Sequence, residues 1–192
     1  MTARTHDVAA ITFLGLVFVA SPLQKISITT FLLCVLFNQI GGVLPDIDQP
    51  TAPLWKNLPI SRPIGRIVDK TLLGGHRFIT HSLLGLFIFS LLLSLLFGLF
   101  KSTSINFNLV LVSFFIGYLS HLVMDSFTKE GVPWLLPITK KIGFPPLKKM
   151  RITTGSWVEH LVVLPLLVIF SLLLLTNNYN LLLNFFRNYL IR

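Results

Sequence analysis

Long, nearly uninterrupted aliphatic stretches restrict this chain to a membrane protein. A hydrocarbon core of ~30 Å is crossed by about 20 helical residues. Segments 26–44, 82–100, 107–124 and 157–175 meet that length. A further segment, 8–22, is shorter and spans only by recruiting its flanks or by thinning the bilayer. The expected fold is all-α, a polytopic transmembrane bundle of about five spans forming a single integral membrane domain over residues 1–192. Composition agrees, with 53% of the residues hydrophobic and only 12% charged. Two long loops, 45–75 and 126–155, interrupt the apolar pattern with proline, glycine and polar residues.

Within the first loop, Ile64, Ile67, Val68 and Leu72 recur at helical spacing between Arg62, Arg66, Asp69 and Lys70, which predicts an amphipathic surface helix ended by Gly74 and Gly75. The tail 179–191 mixes leucine and phenylalanine with asparagine and arginine and is expected in the interface. No cleavable signal is expected, since Asp7 precedes the apolar run and Phe18 stands where a small residue is needed before Ala20. A lone cysteine, Cys34, excludes an intramolecular disulfide framework and thiolate clusters, and reads as packing.

The net charge of +9 lies mainly in connections that flank apolar segments. Anionic lipid headgroups and topology account for such cations better than nucleic acid does. Arg4, Lys56, Arg62, Arg66, Lys70, Arg77, Lys129, Lys140, Lys141, Lys148, Lys149 and Arg151 share one face of a five-span arrangement. Lys25, Lys101, Arg187 and Arg192 share the other. Twelve against four places the N-terminus and both long loops on the cytoplasmic side of a bacterial inner membrane.

Every histidine and every acidic residue falls on that same face or in the adjoining helix ends. His6 opens the first span, Asp46 and Asp48 close the second, His76 and His81 open the third, His121 and Asp125 close the fourth, and Glu159 and His160 open the fifth. Ionisable groups near bilayer depth are costly unless paired or functional. His121 and Asp125, four apart on a helix, share a face. An extended backbone after Pro45 would put Asp46 and Asp48 on one side. Thr80 or Ser82 can cap the third span. Taken singly, the PDID run reads first as a helix end and turn, His121 with Asp125 equally as a hydrogen-bonded pair, His6 as a surface residue, and Glu159 as a partner of Arg151. Together, neutral imidazoles and carboxylates on five helix ends suit zinc, manganese or iron, as one ion or two.

The blocks Thr5–His6, GGVLPDID at 41–48, HRFITHS at 76–82, HLVMDSFTKEGVPWLLP at 121–137 and TGSWVE at 154–159 carry a resemblance. By these blocks the sequence resembles the YdjM-like family of bacterial inner-membrane, membrane-bound metal-dependent hydrolases. That resemblance implies a polytopic helical fold and a loosely defined hydrolase activity. Carried over block by block, it implies His6, Asp46, Asp48, His76, His81, His121, Asp125 and Glu159 as the metal-site residues, with His160 left out. The expected substrate is a membrane lipid or lipid-linked ester, with phosphoester favoured. Asp48 or Glu159 is expected as general base, and Arg77, with Lys148, Lys149 and Arg151, as phosphate partner. The competing functions are a divalent-cation transporter or sensor and a scaffold whose metal clamps the helix ends. The aliphatic middles of the third and fifth spans argue against transport.

Overall fold

The computed structural model describes residues 1–21, 26–49, 77–100 and 104–190, with side chains through residue 187. The surface helix expected at 64–72 and His76 lie outside the described residues. Among the described residues six α-helices follow one another: α1 Ala3–Ala20, α2 Ile28–Val43, α3 Leu83–Gly98, α4 Phe107–Ser126, α5 Leu164–Asn177 and α6 Tyr179–Leu190. A 3-10 turn, Leu44–Asp48, prolongs α2, and a π-helical turn, Glu159–Val163, leads into α5. That wide turn meets Pro165, whose missing N–H cannot bond the carbonyl one turn earlier. Among the described residues there is no strand, only two isolated bridges in the 126–155 loop.

Four helices among the described residues are long and apolar enough to cross a membrane: Ala3–Ala20, Ile28–Asp48, Phe107–Ser126 and Glu159–Asn177. The segment expected as a further span, 82–100, contains a helix of only 16 residues. The first span, by contrast, is longer than the sequence suggested, because helix begins at Ala3 rather than near residue 8. Side-chain caps set three of the starts. Ser27 accepts from the Thr30 amide, Ser82 from the Gly85 amide and Asn106 from the Leu109 amide.

The centre of the bundle is the α2–α4 contact, and glycine makes it possible. A Cβ on Gly117 would stand 1.9 Å from the Asn38 carbonyl oxygen, and one on Gly41 2.2 Å from that of Phe114. Around this crossing Leu86, Phe114, Tyr118, Leu122 and Val132 form the buried core, and the Tyr118 hydroxyl donates to the Thr80 carbonyl. α1 packs against α2, α4 and α5, with Thr12 and Ser171 bonded at 2.6 Å within the apolar layer. At the end remote from the histidines, α6 lays Phe185 edge-on against Phe18 at 5.3 Å and tilted against Phe31 at 5.4 Å. The tail is thus a helix folded against the bundle end, with the amphipathic character its sequence implied.

Candidate metal centre

Close packing of α2 on α4 brings the ends of both helices to one point. The 3-10 turn, not the extended backbone expected after Pro45, delivers Asp46 and Asp48 there. The last turns of α4 deliver His121 and Asp125, both buried. The segment 77–82 crosses over them and supplies His81.

Two imidazole nitrogens each face two carboxylate oxygens. His81 Nε2 lies 3.5 Å from Asp46 Oδ1 and 3.6 Å from Asp125 Oδ2, while His121 Nε2 lies 3.6 Å and 3.8 Å from the same two oxygens. A four-coordinate zinc with bonds of about 2.0–2.1 Å separates its donors by about 3.3–3.4 Å. The four histidine–carboxylate distances of this cradle exceed that by a few tenths of an ångström, and the donor atoms of Asp46, His81 and His121 all lie within 4.8 Å of one another. His121 Nδ1 is 2.7 Å from the Gly42 carbonyl oxygen, which can only accept. The proton therefore sits on Nδ1, and the Nε2 lone pair, buried and with no hydrogen-bond partner among the described residues, points into the cradle. The donor set fits zinc, with manganese or iron compatible by chemistry.

A second layer holds the first. Asp48 Oδ2 accepts from the Thr80 hydroxyl at 2.6 Å and the Arg77 amide at 2.9 Å, and faces His81 Nδ1 at 3.3 Å. This is the carboxylate–histidine relay that orients metal-binding imidazoles. Arg77 reaches Asp48 with its backbone and Asp125 with its side chain, Nη2 to Oδ2 at 2.7 Å, and adopts φ 58° to do both. Its guanidinium also donates to Thr128 Oγ1 at 2.9 Å and approaches exposed Glu130 at 3.4 Å. Burial opposes protonation of His81, but the hydrogen bonds to Asp46 and Asp48 and the charges of Asp48 and Asp125 outweigh it, so its pKa lies above the ordinary value.

His6 lies flat on His121, ring centroids 3.7 Å apart and planes 8° from parallel. Its Nε2 is 3.2 Å from Asp125 Oδ1, the oxygen that also meets the Met1 amino group. His6, His121 and Asp125 form a second group whose donor atoms lie within 4.8 Å of one another. The structure thus brings together Asp46, Asp48, His81, His121, Asp125, Arg77 and His6.

Glu159 is placed differently. Its carboxylate meets the start of α1, accepting from the Thr2 amide at 2.6 Å and the Thr2 and Thr5 hydroxyls at 2.8 and 2.7 Å, and from the Gly155 amide at 2.7 Å. It complements the positive end of that helix. Arg151, the alternative partner, instead donates to the carbonyls of Pro145 and Pro146. His160 is exposed, and Lys148 and Lys149 are exposed on the loop.

Of the two caps expected for the third span, Thr80 and Ser82, Ser82 caps the helix and Thr80 donates to Asp48 instead. What sequence reasoning missed is that Thr-His occurs twice, at Thr5–His6 and Thr80–His81, and that each threonine hydroxyl donates to a carboxylate, Glu159 and Asp48 respectively. The repeated dipeptide was the available signal.

The YdjM inner membrane protein family profile matches residues 1–182. Inner membrane protein YdjM of Escherichia coli K12 is 35% identical over 127 residues, 66% of this chain and 59% of that protein, so the match spans less than two thirds of that relative. Uncharacterized protein YvsG of Bacillus subtilis is 31% identical over 124 residues, 65% of this chain and 67% of that one. No solved structure matches. With the profile covering nearly the whole length, and the helical bundle already described, the chain belongs to the YdjM family of inner membrane proteins.

Proposed function

We propose that this protein is a metal-dependent hydrolase whose site lies at the cytoplasmic surface of the inner membrane and acts on a lipid or lipid-linked ester, a phosphoester foremost. The observation that carries this reading is the convergence of His81 Nε2, His121 Nε2, Asp46 Oδ1 and Asp125 Oδ2, with the buried His121 lone pair aimed among them.

Three of those four groups would hold a divalent ion and leave a position open for water, and the ion would supply a Lewis acid and acidify that water. The rest is done by the chain. Asp48 and the Gly42 carbonyl fix the two imidazoles with their Nε2 atoms inward. Arg77 fixes Asp125. Asp48 and Glu159, the two general bases considered from sequence, are engaged as orienting and helix-anchoring acceptors. The geometry favours His6 as the base, since its ring is buried at the cradle's edge and its Nε2 is oriented by Asp125. Transport is less well supported. The polar groups within the spans satisfy one another, Asn38 donating to the Ser113 carbonyl and Thr12 bonding Ser171, rather than lining a path.

The test measures metal content of purified protein and lipid products after incubation with native membranes, for wild type, His81→Gln and His6→Ala. The expectation is that His81→Gln loses metal and turnover together. His6→Ala should keep its metal and lose about 10²–10⁴-fold in rate. Metal retained at wild-type stoichiometry in His81→Gln refutes the centre. Full turnover in His6→Ala refutes the base, and loss of metal in that variant makes His6 a ligand.

A further inference from the structure

Outside the spans, the segment between α4 and the π-helical turn is held by its own backbone yet turns large apolar side chains outward. Val132 and Ile142 exchange two amide–carbonyl bonds of 2.9 and 2.8 Å. The Phe144 amide donates to the Ser126 carbonyl at 2.8 Å, the Lys129 amide to the Ile152 carbonyl, and the Ile152 amide to the Phe127 carbonyl, both at 3.0 Å. Arg151 ties the Pro145 and Pro146 carbonyls together. The loop is therefore preorganised, and exposure of its apolar groups is a property of its fold. Ile138, Phe144, Leu147 and Met150 are 60–66% exposed.

Interleaved with them stand Lys140, Lys141, Lys148 and Lys149, all exposed, while Glu130 is the sole acidic residue from Phe127 to Val158. Four ammonium groups keep this surface out of hydrocarbon, and four large apolar groups are costly in water. The phase that satisfies both is the headgroup layer of an anionic bilayer. The loop joins Phe107–Ser126 to Glu159–Asn177, two helices long and apolar enough to cross a membrane, so crossing by both puts its ends at one surface beside that layer.

We infer that residues 138–150 form a lipid-docking surface, with Ile138, Phe144, Leu147 and Met150 seated at the acyl boundary and Lys140, Lys141, Lys148 and Lys149 on anionic headgroups. This inference is independent of the proposed hydrolysis. The same loop reaches the metal centre, through Thr128 and the Gly131 carbonyl on Arg77, so docking presents the centre to lipid at a fixed height.

The experiment uses the full chain with Cys34→Ala and Leu147→Cys, labelled with an environment-sensitive fluorophore. The protein is reconstituted in phosphatidylcholine vesicles, with and without phosphatidylglycerol. Anionic vesicles should give blue-shifted emission that a nitroxide on the lipid acyl chain quenches, and added salt should reverse it. Each lysine at an anionic surface is worth about fivefold in such an equilibrium, so Lys148→Gln with Lys149→Gln should lower the docked-to-free ratio about thirtyfold. A label that stays in water in anionic vesicles overturns the proposal. So does quenching indifferent to both phosphatidylglycerol and the lysines. Protection that rises with the protein-to-lipid ratio instead assigns the surface to a protein partner and likewise overturns it.

Discussion

Asp48→Asn separates orientation of a ligand from ligation itself. The Asp48 Oδ2 atom serves the Thr80 hydroxyl, the Arg77 amide and the His81 ring, at 2.6, 2.9 and 3.3 Å. Asparagine is the same size and keeps an oxygen for the first two donors, so the local fold should survive. What it removes is the negative charge behind His81, and with it the push on the imidazole that would face a bound ion. Losing such a supporting carboxylate typically weakens metal binding about 10–100-fold, or about 1.4–2.7 kcal/mol. Asp48→Ala is a different perturbation, because it strands buried donors at about 1–3 kcal/mol each and should undermine folding itself. The assay is competition with a chromogenic chelator in detergent, alongside thermal unfolding. Unchanged affinity in Asp48→Asn would show that the carboxylate does not act on His81. Complete loss of stoichiometric metal at an unchanged melting temperature would make Asp48 a direct ligand.

Two other substitutions probe the supports of the centre. Glu159→Gln leaves an oxygen for Thr2 and Thr5 but turns an NH2 toward the Gly155 amide, 2.7 Å away, and should cost about 1.5–3 kcal/mol, read as a lower melting temperature with metal still bound; loss of metal at full stability would instead put Glu159 among the ligands. Gly117→Ala places a methyl group 1.9 Å from the Asn38 carbonyl and should push α2 off α4 at a cost of about 1–3 kcal/mol or more, lowering metal content too because α2 carries Asp46 and the Gly42 carbonyl; wild-type stability and metal content would refute the close contact.

The gathering of histidines and carboxylates at one membrane face was legible because it needs only span length and alternation. Any chain that crosses back and forth returns its helix ends to the same two planes. The division of labour among those residues was not legible, since it depends on contacts far apart in sequence. Asp46 and Asp48 differ by two positions, yet a 3-10 turn sends one into the cradle and the other behind His81. Glu159 bonds residues that precede it by more than 150 positions, and helical spacing carries no trace of that. The early start of α1 has the same cause, for its first turn is polar and looks like a tail until Glu159 is brought against it. Arg77 stood beside a histidine and read as a phosphate partner. Its positive φ, which lets one residue hold two carboxylates, has no sequence signature outside glycine and asparagine.

The shortness of α3 bears on the shape of the bilayer itself. At 1.5 Å per residue its 16 residues rise about 24 Å, against a hydrocarbon layer of ~30 Å. If α3 crosses the bilayer, thinning of the adjoining lipid to match it would draw the polar surface inward at the helix end where Ser82 and His81 stand. Under the proposed function, such a dimple toward the imidazole would let an amphiphile reach the centre along a sloping interface without leaving its leaflet. Short-chain lipids, which meet α3 without strain, are expected to support the fastest turnover in reconstituted bilayers. A rate that rises steadily with acyl length would contradict this.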